Sequence, residues 1–146
     1  MRGKHRKFID EVNAQFDPFY IQEGRGKYRT IRPLVFDTVA GPFAVKSGTE
    51  TDLFSKVSNT GYIRFHMAAV FHDEARKKYN RVLSDFMFLV EMVAAIKDIR
   101  AAFLNTTCPK KVIDKECFRL ARVASLYMLG VSGLIGSLYI KLDKWF

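Results

Sequence analysis

The sequence predicts an α+β fold, with a small antiparallel sheet in the N-terminal half packed on a bundle of about three helices in the C-terminal half. Three observations lead there. Short β-branched and aromatic runs crowd residues 28–45 and are separated by Pro33 and by Ala40-Gly41-Pro42, which is strand-and-turn punctuation. Ile63 to Glu74 then runs without Gly or Pro and sets Phe65, Ala68, Ala69 and His72 at helical spacings. Finally, Arg81 to Phe103 is apolar nearly all round, as a central helix is. The 146 residues are 49% hydrophobic and 14% aromatic, enough to bury one core and too few for two confident domains, so residues 1–146 are read as a single domain.

Taken in order, residues 1–27 alternate basic, acidic and aromatic groups and end at Gly24-Arg25-Gly26. They are expected to form a loosely attached N-terminal segment with a short helix near Phe8 to Phe16. Strands follow at Tyr28–Ile31, Leu34–Phe36 and Phe43–Val45. A first core helix covers Ile63 to Glu74. The second, Arg81 to Phe103, carries Glu91 as its only ionisable group between Asp85 and Lys97 and is expected to be surrounded by protein. Asn105 to Pro109 ends it, and a third helix runs from near Asp114 towards Lys144. Residues 123–140 carry no charge over eighteen positions and include Gly130, Gly133 and Gly136. Such a stretch rises about 27 Å, just short of a hydrocarbon core of about 30 Å, so a buried core helix is favoured over a membrane anchor.

Charge narrows the partners without choosing one. Lys and Arg number 24 against 15 Asp and Glu, a formal net charge of +9 that favours nucleic acid, anionic lipid or an acidic protein surface. Cys108 and Cys117, with eight residues between them, have neither a disulfide framework nor zinc-knuckle spacing, and are read as plain thiols in a reducing cytoplasm. No uninterrupted apolar stretch follows the N-terminal charges, so no secretory signal is expected.

The polar chemistry gathers in three places. Gly48-Thr49-Glu50-Thr51-Asp52-Leu53-Phe54-Ser55 is a glycine turn into Thr-Asp and then Ser, where Thr51 or Asp52 would ordinarily cap a helix. His72-Asp73 stands where an apolar helix leaves the core. Imidazole beside carboxylate suits a divalent metal or proton transfer, and a helix-terminal His with a solvated Asp is the simpler alternative. His66 and Asp73 are seven apart and so share one helix face, where His66 could equally be a half-buried core histidine. Arg81 and Asp85, four apart, can meet on one helix face, and burial of Asp85 would demand a partner. Phosphate-loop, dinucleotide, zinc-protease and esterase signatures are all missing.

In this order Gly48-x-x-Thr51-Asp52-x-x-Ser55, Ala68-Ala69-x-x-His72-Asp73 and Arg81-x-x-x-Asp85 resemble a family of small uncharacterised bacteriophage and prophage proteins, over residues 43–92. The resemblance implies a viral or prophage origin and a common polar centre of Asp52, His72, Asp73 and Asp85. The doublet is also similar to that of metal-dependent phosphohydrolases of the His-Asp superfamily. Three functions are carried forward as expectations. The first is a phage accessory protein, in the host cytoplasm or the virion, that binds a host or virion protein and keeps the Asp/His cluster as a structural network. The second is a metal-assisted hydrolase with Asp52, His72, Asp73 and Asp85 as catalytic candidates. His72 and Asp73 would then hold a divalent metal, and Thr51, Ser55 and Arg81 would contact the substrate. The third is a membrane-associated phage protein anchored by residues 123–140. Nucleic acid is a further candidate partner.

Overall fold

A computed structural model describes residues 5–51 and 60–131. Four helices and five strands are assigned among them: α1 (Arg6–Asn13), β1 (Tyr20–Gly24), β2 (Lys27–Thr30), β3 (Leu34–Thr38), β4 (Gly41–Val45), β5 (Glu50–Thr51), α2 (Ile63–Lys78), α3 (Arg81–Leu104) and α4 (Lys110–Val131). The order of a strand-rich half followed by helices is the α+β plan read from the sequence.

The β region differs in detail from that expectation. Gly24-Arg25-Gly26 does not divide two parts of the chain; it turns a hairpin. Gly26 takes a φ of 69°, which glycine adopts without steric cost, and β1 returns antiparallel along β2 with Ile21 opposite Arg29. Strand β1 was missed because most of its side chains are exposed and show no inward alternation. β2 also pairs with β5, Tyr28 opposite Thr51, giving a three-stranded sheet. Strands β3 and β4 form a separate hairpin, closed where Gly41 has a φ of 98°. Its alternation is plain: Leu34, Phe36, Phe43 and Val45 point inward, Val35 and Asp37 outward. Buried Thr30 joins the two pieces, donating to the Lys46 carbonyl at 2.9 Å and accepting from the Thr49 amide at 2.9 Å.

Two apolar clusters organise the molecule. The inward side chains of β3 and β4 meet Phe19, Val70, Phe71, Ala75 and Met87. The larger cluster lies among the helices, with Phe65, Phe88, Met92, Ile99, Phe103, Ile113 and Leu120. The part of the N-terminal segment within the described residues is held firmly. Phe8 and Val12 share one face of α1 and enter the helical core, and Phe19 is fully buried. Asn13 accepts from the Ile63 amide at 3.0 Å and donates to the Gly61 carbonyl at 2.9 Å, so α1 supplies the cap that α2 lacks from its own sequence.

Helix α2 continues one turn past Glu74, because Ala75 to Lys78 are good helix formers and Arg76, Lys77 and Lys78 suit the C-terminal dipole. His72-Asp73 therefore sits inside the helix rather than at its end. Tyr79 breaks out into extended geometry and Asn80 caps α3, its Oδ1 accepting from the Leu83 amide at 2.8 Å. Helix α4 starts at Lys110, earlier than Asp114, since the Pro109 carbonyl already accepts from the Val112 and Ile113 amides.

The expectation that α3 is surrounded by protein is corrected. Ser84, Asp85, Phe88, Glu91, Met92, Ala95 and Ile99 are buried, but Val82, Phe86, Val90 and Val93 form an outward row with exposures of 44–53%. Ser84, Asp85 and Glu91 take places on the buried side, which leaves these apolar groups to face outward. No helix among the described residues is long and apolar enough to cross a membrane. Residues 132–140 of the candidate anchor lie outside the described residues.

Candidate functional site

Antiparallel helices α2 and α3 bring His72 and Asp85 together. His72 follows Ala68, Ala69 and Phe71, which press that part of α2 into the core, and Asp85 lies one turn into α3 on its buried side. Their side chains are 0% and 2% exposed, and His72 Nε2 is 2.6 Å from Asp85 Oδ1. A carboxylate can only accept, so Nε2 carries the proton and donates it. The imidazole lies flat on Phe88, ring centroids 4.1 Å apart and planes 8° from parallel, and Tyr127 of α4 meets Phe88 edge-on. Burial lowers the His72 pKa below its ordinary 6.5, against the opposing pull of Asp85. Burial thus disfavours the charged imidazole, and the carboxylate holds the ring in place.

Two guanidinium groups stand further out over the same carboxylate. Arg76 Nε is 3.8 Å from Asp85 Oδ1, and Arg81 Nε is 3.8 Å from Oδ2. Both arginines reach solvent, with side chains 34% and 58% exposed, so they close the site from outside at ion-pair distance from the carboxylate. Arg81 and Asp85 thus meet as their four-residue spacing predicts. Arg76 was missed, although its position four after His72 placed it on the same face.

The His72-Asp73 doublet is divided between two surroundings. Asp73 is half-buried and accepts from the Thr51 hydroxyl at 3.0 Å, which joins the end of β5 to α2. Thr51 therefore ends a strand and braces a helix from the side. This contact lines an open pocket of about 360 Å³ with Lys27, Tyr28, Glu50 and Lys77. Successive helical residues diverge by about 100°, which sends His72 towards α3 and Asp73 towards the sheet. Asp52 and Ser55 lie outside the described residues. Among those described, no group of three or more His, Cys, Asp or Glu side chains is placed to hold a metal ion. His66 is half-buried, with the Tyr20 hydroxyl 2.9 Å from its Nδ1.

Two further buried polar groups were not singled out by motif. Arg64 Nη2 lies 2.6 Å from Glu91 Oε1, and its Nε donates to Asp98 Oδ2 at 2.8 Å. Burial raises the Glu91 pKa above its ordinary 4.5, and Arg64 pulls the other way. The signal was present, since Glu91 is the lone ionisable group in its stretch of α3. Tyr62, fully buried, donates to Glu116 Oε2 at 2.7 Å, and Arg119 donates to the other oxygen. Burial alone would raise the Glu116 pKa, but the hydrogen bonds from Arg119 and Tyr62 outweigh it and hold the carboxyl below its ordinary value. Comparison with models of known protein families, with curated proteins and with solved structures finds no match.

Proposed function

We propose that the chain is a bacteriophage or prophage accessory protein that acts by binding a host or virion protein, with the His72–Asp85 cluster serving as a structural network. The observation that carries this reading is the outward row Val82, Phe86, Val90 and Val93 on α3. A helix that served the core alone would gain nothing from four large apolar groups on its solvent side, whereas a contiguous apolar surface gains free energy when a partner covers it. Beside the row, a cleft of about 250 Å³ lies between the β3–β4 turn and α3, lined by Val39, Phe71, Met87 and Val90 with Asp37 and Glu91. The partner surface that suits it is an apolar segment with a basic side chain to meet Asp37, since Glu91 is already held by Arg64.

The sealed His72–Asp85 contact supports the structural role. His72 Nε2 and Asp85 Oδ1 engage each other directly, and Arg76 and Arg81 offset the carboxylate's charge. The test is affinity capture from host lysate and from purified virions, at low and moderate salt, with wild type and Phe86→Asp/Val90→Asp. Both substitutions are at exposed sites, so the variant is expected to fold and to lose a protein that wild type retains. Recovery of no protein above background, or equal recovery by the variant, overturns the reading.

A further inference from the structure

The outer face of α4 is built differently from that of α3. Lys111, Lys115, Phe118 and Arg122 follow one another at four, three and four positions and therefore share one face of the helix. All four are exposed, and Phe118 is 66% exposed. Together with Asp114 and Arg119 they line an open groove of about 510 Å³.

The carboxylates near this face are already engaged. Asp114 Oδ1 is 2.8 Å from Arg100 Nη1, and Glu116 turns inward to Tyr62 and Arg119. Among the described residues Lys111, Lys115 and Arg122 have no acidic partner, so the face presents three uncompensated cations around an aromatic ring that has no ring partner there.

We propose that this face binds single-stranded nucleic acid, with Lys111, Lys115 and Arg122 meeting backbone phosphates and Phe118 stacking on a base. The three cations span about 16 Å of helix axis, and charge complementarity with a polyanion is direct. A planar apolar ring set between cations matches an unstacked base beside its phosphates, whatever the base. An anionic membrane fits less well. A helix lying on lipid submerges a continuous apolar face, but from Lys111 to Arg122 Phe118 is the one large apolar side chain exposed. Of the helix's other apolar residues, Ile113, Leu120, Ala124, Tyr127 and Met128 are buried in the core, while Leu126 and Leu129 are exposed beyond Arg122, outside the groove, with that cation between them and Phe118. A duplex would hide the base faces that Phe118 needs.

The test measures fluorescence anisotropy of labelled oligo(dT), about 20 nucleotides long so that it exceeds the site of one small domain, across a series of salt concentrations. The full chain is compared with Lys111→Gln/Lys115→Gln/Arg122→Gln and with Phe118→Ala, each checked for unchanged far-ultraviolet circular dichroism. Removing three phosphate contacts should weaken binding and reduce the slope of log affinity against log salt by about 2. Phe118→Ala should lose roughly tenfold in affinity with its salt slope unchanged. The proposal is overturned by no oligo(dT) binding at low salt, by variants that bind like wild type, or by preference for duplex of the same length. It is also overturned if phosphatidylglycerol vesicles, and not oligo(dT), bind through these residues.

Discussion

The interface between α2 and α3 contains two charged clusters of opposite make-up. Around Asp85 one carboxylate faces His72, Arg76 and Arg81; around Arg64 one guanidinium faces Glu91 and Asp98. The first has its carboxylate at the dry centre and its arginines at the rim. The second has a nearly buried Arg64–Glu91 pair, with side chains 10% and 11% exposed, and an outlet to solvent through Asp98, which is 54% exposed. The difference shows how each tolerates burial. In the first, burial disfavours the charged form of the histidine; in the second, it disfavours the charged form of the Glu91 carboxylate. Since each cluster needs its partner on the other helix, a one-turn slip of α2 along α3 would strand both.

The largest expected effect follows from breaking the dry cluster. Asp85→Ala leaves the buried His72 Nε2–H without its acceptor and removes the anion that Arg76 and Arg81 face. A loss of about 3 to 5 kcal/mol in urea unfolding is expected, with Asp85→Asn losing less because an amide oxygen still accepts. A loss below about 1 kcal/mol, the size of an exposed pair, would show that the contact does not hold the helices. Arg64→Ala should cost less, about 2 kcal/mol, because Glu91 can protonate and Asp98 can turn to water. If the two variants cost the same, the distinction between a dry cluster and a vented one fails.

The smallest effect, and the sharpest separator, is the response to pH. Folding lowers the His72 pKa, so its contribution is present above the ordinary 6.5 and is lost as pH falls through the lower folded value. Folding raises the Glu91 pKa, so its contribution is present below the ordinary 4.5 and is lost as pH rises through the higher folded value. Urea midpoints across this range should show His72→Gln removing part of the acid-side loss and Glu91→Gln removing part of the loss towards neutrality. Shifts of the same sign in both variants would contradict the comparison.

Much of this centre was legible and some was not, for identifiable reasons. The unbroken runs that form α2 and α3 announce helices, and Asp85 beside an apolar stretch announces a buried acid in need of a partner. The structure supplies His72. The separation of His72 from Asp73 also follows from helical geometry, yet the adjacent letters suggested one site. Strand β1 was not legible because its outward polar residues carry no alternation, and its pairing depends on a turn at Gly26. Nor was the Tyr62–Glu116 contact, which joins residues 54 apart through tertiary packing alone. The row Val82, Phe86, Val90 and Val93 was visible as apolar, but only the placement of Asp85 and Glu91 on the opposite side turns it outward.

The joint at Tyr79 and Asn80 bears on how the chain collapses. His72 and Asp85 are 13 positions apart, Thr51 and Asp73 are 22 apart, and Tyr62 and Glu116 are 54 apart. The entropy of closing a loop grows with the logarithm of its length, so the first contact costs about 1 kcal/mol less to reach than the last. The tight α2–α3 turn thus makes the dry cluster the most accessible of these three contacts to the unfolded chain. Docking of the α1 end on the end of α3, where Gln15 donates to the Ala102 carbonyl across 87 positions, closes a longer loop still and is expected to complete the core later.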